Sequence, residues 1–139
     1  MSRPIPITVY AVLCAGLVGC AMSSSDMRAD PEAKRSFTVP AGYQVVLKRI
    51  EDYNSECNTV VAIPMGGDGI NEVRNYSDLR KATITRGIAA IVPNIYQVIE
   101  LNETAPETTE VTVYAKLRLE RVALVFEHVA RGANKGCVP

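Results

Sequence analysis

Ile95-Tyr96-Gln97-Val98-Ile99-Glu100-Leu101 and Glu110-Val111-Thr112-Val113-Tyr114-Ala115-Lys116-Leu117 decide the fold. In the first run, Ile95, Gln97, Ile99 and Leu101 alternate with Tyr96, Val98 and Glu100. The second alternates more cleanly, with Val111, Val113, Ala115 and Leu117 set against Thr112, Tyr114 and Lys116. A period of two places one set on each face of a strand. A polar loop holding Pro106 separates the runs, so an antiparallel hairpin is expected.

Beyond the hairpin the period changes. Leu119, Val122, Phe126, Val129 and Ala133 share one helical face, broadened by Ala123, Val125 and Ala130. Four residues further along that face stands Cys137, although Gly132 marks the end of the regular part. Toward the N-terminus, Ala82–Ile88 reads as a strand, and Ala89–Val92 continues it or starts the next. Pro93-Asn94 is a turn signal. Val73–Tyr76 is a short, irregular strand, Gly66-Gly67-Asp68-Gly69 a turn, and Thr59–Ile63 a β-branched strand closed by Pro64. Before these, Tyr43, Val46, Leu47, Ile50 and Tyr53 form a second helical face, which four residues later reaches Cys57. Phe37-Thr38-Val39-Pro40 is an extended entry.

The sum is a two-layer α+β domain. An antiparallel sheet of four to five strands carries an N-terminal and a C-terminal helix on one face, in a single domain over 36–139. The chain has 139 residues, 47% of them apolar, with 15 basic and 15 acidic side chains. Zero net charge supplies no global field for nucleic acid or anionic lipid, so no nucleic-acid partner is expected.

The first twenty residues carry an address. Arg3 and the α-amino group precede an apolar run, Ile7–Val18, too short to span a bilayer of about 30 Å. This is the pattern of a secretory signal. It ends Leu17-Val18-Gly19-Cys20, which resembles the bacterial lipobox. The resemblance implies that 1–19 is a lipoprotein signal peptide and that Cys20 is the acylated N-terminus, anchored in the membrane by its acyl chains. Ala21 in place of aspartate implies the outer membrane of a Gram-negative bacterium, lipid-anchored on the periplasmic face. The serine-rich stretch that follows has no apolar period, so 20–35 is expected to be a flexible tether.

With Cys14 removed and Cys20 acylated, Cys57 and Cys137 remain in an oxidising compartment, and a structural disulfide is expected. Closing a loop of that length stabilises a fold by roughly 4–4.5 kcal/mol in the chain-entropy model. The spacing suits neither a zinc site nor a redox pair. The lipobox, the Phe37-Thr38-Val39-Pro40-Ala41-Gly42-Tyr43 entry, Cys57 and the final strand-helix-Gly-Cys segment together resemble a loose group of short, largely uncharacterised proteobacterial lipoproteins. Members often carry a tryptophan before the last cysteine, which this chain lacks. A fainter likeness is to helix-grip lipid-binding domains, in the entry that leads into a helix and the last strand that feeds the terminal helix. The first likeness implies a location rather than a chemistry, and no ligand is carried over from the second.

No catalytic constellation emerges. The glycine-rich stretch at 66–69 lacks the lysine and hydroxyl of a phosphate loop, and Asp68 has no spaced acidic companions for calcium. His128 stands without a placed nucleophile. Glu100, Glu103, Glu107 and Glu110 surround a polar turn, as a solvated loop would. Asn102-Glu103-Thr104 matches a glycosylation sequon, which carries little weight because the lipobox resemblance implies a bacterium. Arg74, Arg80, Lys81 and Arg86 form a basic run, either a guard on an edge strand or a docking patch for an acidic partner or lipopolysaccharide phosphate. The expected function is a non-enzymatic, cofactor-free interaction module of the cell envelope with a protein partner. The alternative is a binder of a small apolar ligand or lipid. A cavity of about 300 Å³ or more lined by Tyr96, Val98, Tyr114 and the strand faces would favour that alternative.

Overall fold

The computed structural model describes residues 22–57, 68–133 and 137. The segment expected as a signal, Cys20 and the strand expected at Thr59–Ile63 lie outside them. The described elements run α1 (Ser24–Ala29), β1 (Lys34–Val39), α2 (Tyr43–Cys57), β2 (Asp68–Tyr76), β3 (Lys81–Ala89), β4 (Asn94–Ala105), β5 (Thr108–Ala115) and α3 (Leu119–Ala130), an α+β chain. The five strands form one open antiparallel sheet in the order β1-β5-β4-β3-β2. Strands β2 to β5 are a meander. The chain start supplies β1 on the far side of β5.

Alternation assigns the sheet's two faces. Ala82, Ile84, Ile99, Leu101, Val111 and Val113 share a core with Val46, Leu47, Ile50 and Tyr53 of α2 and Ala123, Phe126, Val129 and Ala130 of α3. Val98 and Tyr114 point the other way and pack with Met27, Ala33 and Ile95. The central strands are thus buried on both sides, and Val98, Ile99, Val111 and Val113 are all fully buried. Each such side chain contributes about 1.5–3 kcal/mol. Helices α2 and α3 meet through Tyr53 and Phe126, edge to face, with ring centroids 5.9 Å apart. The Arg49 guanidinium donates to the Ala130 carbonyl at 2.7 Å, a cation at the negative end of α3.

Helix α3 stops where glycine allows it. Gly132 has φ +83°, its N–H bonds the Val129 carbonyl, and the Ala133 N–H bonds that of His128. This paired closure is a Schellman motif, and it needs a left-handed residue at the position Gly132 occupies. The stripe therefore ends before Ala133, and Cys137 lies past the helix rather than on it. The expected disulfide is present all the same: Cys57, the last residue of α2, is bonded to Cys137 across 80 residues.

Three further expectations are corrected. The stretch expected as a tether is structured from Ser23. Ser23 and Asp26 form a capping box on α1, Met27 is fully buried, and β1 already begins at Lys34. The short strand at 73–76 is nine residues long and takes in Asp68 and Gly69, which had been assigned to a turn. The loop around Pro106 shrinks to two residues, because β4 runs to Ala105 and β5 starts at Thr108. Proline fixes φ at the first turn position, and Glu107 takes the left-handed conformation at φ 55°. Among the described residues, no helix is long and apolar enough to cross a membrane.

Candidate functional site

One irregularity in the sheet creates the site. Arg86 faces Gln97 while Gly87 faces Ile95, so Tyr96 is the extra residue of a β-bulge. A bulge turns two successive residues toward the same side. Here Tyr96 and Gln97 both turn to the side of α2 and α3. The close approach requires glycine at 87, since a Cβ there would stand 2.7 Å from the Asn94 carbonyl oxygen and 2.8 Å from Ile95 Cδ1.

Between this bulged end of β4, the end of β5 and the first turns of α3 lies an open cleft of about 530 Å³. That volume lies within the range of small-molecule sites. Tyr53, Val122, Val125 and Phe126 form its apolar wall, and Gln97 and Ala115 its floor. Asn94, Tyr96 and Leu117 edge it. So do four basic side chains, Arg86, Lys116, Arg118 and Arg121, and no carboxylate among the described residues lines it. Arg86 lies over the Tyr96 ring at 5.8 Å from the centroid and donates to Gln97 Oε1 at 3.4 Å, which holds its guanidinium at the opening. Asn94 Oδ1 is buried without a hydrogen-bond donor among the described residues, and a ligand hydroxyl would satisfy it.

The basic rim breaks local rules. Arg118 precedes α3 with φ 54° and provides no side-chain cap. A left-handed, non-glycine residue costs about 1–3 kcal/mol. Arg118 and Arg121 also crowd positive charge at the end of α3 where the helix dipole is already positive. Glu120, the acid of that turn, pairs outward with Arg35 at 3.4 Å. An anion at this rim would offset its positive charge. Chemically the arrangement suits an amphiphile, its apolar part on the Phe126 wall and its anionic head on the rim.

The basic run from the sequence does not gather. Arg74 sits on the edge strand β2 and pairs with Glu72 at 2.7 Å. That hydrogen bond and ion pair raise the affinity of its guanidinium for its proton. Arg80 lies in the turn before β3 with φ 50° and pairs with Glu103 at 3.4 Å. Lys81 lines a more polar recess of about 440 Å³ on the other side of the sheet, beside Thr83, Glu100 and Thr112. Only Arg86 reaches the cleft. Its companions Lys116, Arg118 and Arg121 were visible as a basic cluster at the junction of β5 and α3 but carried no sign of facing a cavity.

The other candidates are structural. Glu103 accepts from the Tyr43 N–H at the start of α2. Glu100 accepts from Arg28 at 2.6 Å and from the Tyr114 hydroxyl at 3.2 Å, tying α1 to the sheet. Burial, and then the charge of Glu100, push the Tyr114 hydroxyl above the usual phenol range. Two of the four glutamates therefore sit in built contacts, while Glu107 and Glu110 are exposed. His128 is exposed as well. No metal-holding group of His, Cys, Asp or Glu occurs among the described residues. No protein-family model and no curated protein matches the chain.

Proposed function

We propose that the chain is a non-enzymatic binding module of the bacterial envelope whose cleft takes an anionic amphiphile, a single acyl chain with a phosphate or carboxylate head. The observation that carries this reading is the joining, in one 530 Å³ cleft, of an aromatic wall with four basic and, among the described residues, no acidic lining side chains. It favours the ligand-binding alternative over a purely protein-docking role. The volume exceeds the expected threshold, with Tyr96 at its edge, although Val98 and Tyr114 pack under α1 on the other side of the sheet. In this reading α2 and α3 act as one layer over the sheet and the cleft is the gap at its end. Anchoring through an acylated Cys20, on the periplasmic face of the outer membrane, is the part supported by the lipobox likeness alone.

Calorimetric titration with dodecyl phosphate below its micelle concentration tests the reading. Saturable one-to-one binding is expected, with a loss of tenfold or more in Arg86→Ala, as roughly befits a charge-assisted hydrogen bond. Dodecyl maltoside, which lacks the charge, binds far more weakly. Equal binding of the two, or none of either, contradicts the proposal.

A further inference from the structure

The cleft opens at one end of the sheet, and three more features converge there. The loop between β3 and β4 presents Ile91 fully exposed and Val92 mostly so, and Leu117, just after β5, is three-quarters exposed. Three large aliphatic side chains gathered at one end of the domain form an apolar patch whose transfer out of water is favourable. Lys116 and Arg118 flank Leu117 in sequence, which places cations at the height of the apolar tips. Finally, the Ile95 N–H donates to the Met22 carbonyl at 3.0 Å, so the chain enters the domain at this same end.

We infer that this end of the domain is a membrane-contacting surface: Ile91, Val92 and Leu117 enter the interfacial region of an anionic bilayer while Lys116, Arg118 and Arg121 meet its lipid phosphates. Apolar tips ringed by cations match the two layers of such an interface, where each basic side chain near the surface strengthens binding about fivefold. An acidic protein surface would satisfy the cations but leave the apolar tips without their matching depth. The opposite end of β3 bears Leu79, also exposed, about 30 Å away along a nine-residue strand. Arg80 and Lys81 follow it and Lys34 lines the polar recess beside it, but carboxylates are interleaved with them: Glu103 pairs with Arg80, and Glu100 and Glu110 line that recess with Leu79. The inference goes beyond the cleft reading, since contact with the bilayer needs no ligand in the cleft.

The chain has no tryptophan, so single reporters are unambiguous. Full-length Ile91→Trp and Leu79→Trp are reconstituted in vesicles of brominated phosphatidylcholine, with and without phosphatidylglycerol. The reporter at 91 is expected to shift to the blue and be quenched in the anionic vesicles, while that at 79 stays red and unquenched. Adding Lys116→Glu and Arg121→Glu to Ile91→Trp should abolish the quenching in those vesicles without changing the circular dichroism. Quenching at neither position, equal quenching at both, or quenching indifferent to the charge reversals overturns the inference. None of these readouts depends on dodecyl phosphate binding, so the two proposals fail separately.

Discussion

At Arg118 the stability of the fold and the proposed binding site make opposite demands. Its φ of 54° is a conformation that glycine adopts freely and arginine does not. Arg118→Gly should therefore fold at least as stably as the native chain, gaining up to about 1 kcal/mol by relief of strain. It should at the same time lose affinity for dodecyl phosphate. Thermal unfolding read beside titration checks both halves; a variant that is less stable and binds normally would remove Arg118 from the site. The alternation of Val111 and Val113 with Thr112 and Tyr114 was legible in sequence because sheet pleating enforces it. The turn of Tyr96 into the cleft was not. It depends on the pairing of Gly87 with Ile95, a register that only the assembled sheet specifies.

Among the elements, α1 is the one that sequence periodicity misses. Six residues offer a single large apolar side chain, Met27, and one side chain makes no stripe. Its place follows from long-range contacts: Met27 in the second cluster, and Arg28 on Glu100. Met27→Ala should cost about 2–5 kcal/mol if the helix is part of the cooperative fold. Urea unfolding measures this, and a cost near zero would return α1 to the role of a tether. The same contact predicts an alkaline transition. The Tyr114 hydroxyl is held above its ordinary value, so the fold favours the neutral phenol. That contribution is fully present below about pH 10 and is lost as pH rises through the higher folded value. Circular dichroism should report a fall in the thermal melting temperature over that window, and Tyr114→Phe should remove that pH dependence. The edge strand β2 was also hard to read, because its mostly exposed run Asp68–Tyr76 has only Ile70, Val73 and Tyr76 as large apolar side chains and so no strict alternation. In α2 and α3, by contrast, the long 3.6-residue stripes reappear nearly residue for residue in the core.

For the whole molecule, the bond between Cys57 and Cys137 joins the end of α2 to the chain beyond α3 and closes an 80-residue loop. Reduction should lower stability by about 2–5 kcal/mol while leaving cleft affinity at low temperature intact, since neither cysteine lines the cleft. Denaturant titration with and without reductant reads the first effect and calorimetry the second. The central claim, that the cleft is a binding site for an anionic amphiphile, is tested most directly by methyl NMR of the full-length protein titrated with dodecyl phosphate. The account predicts saturable shifts in the methyl groups of Val122, Val125 and Leu117, with Leu101 and Val39, deep in the core, unmoved. Shifts spread evenly over the exposed methyl groups, or none at Val122 and Val125 at saturating ligand, would contradict it.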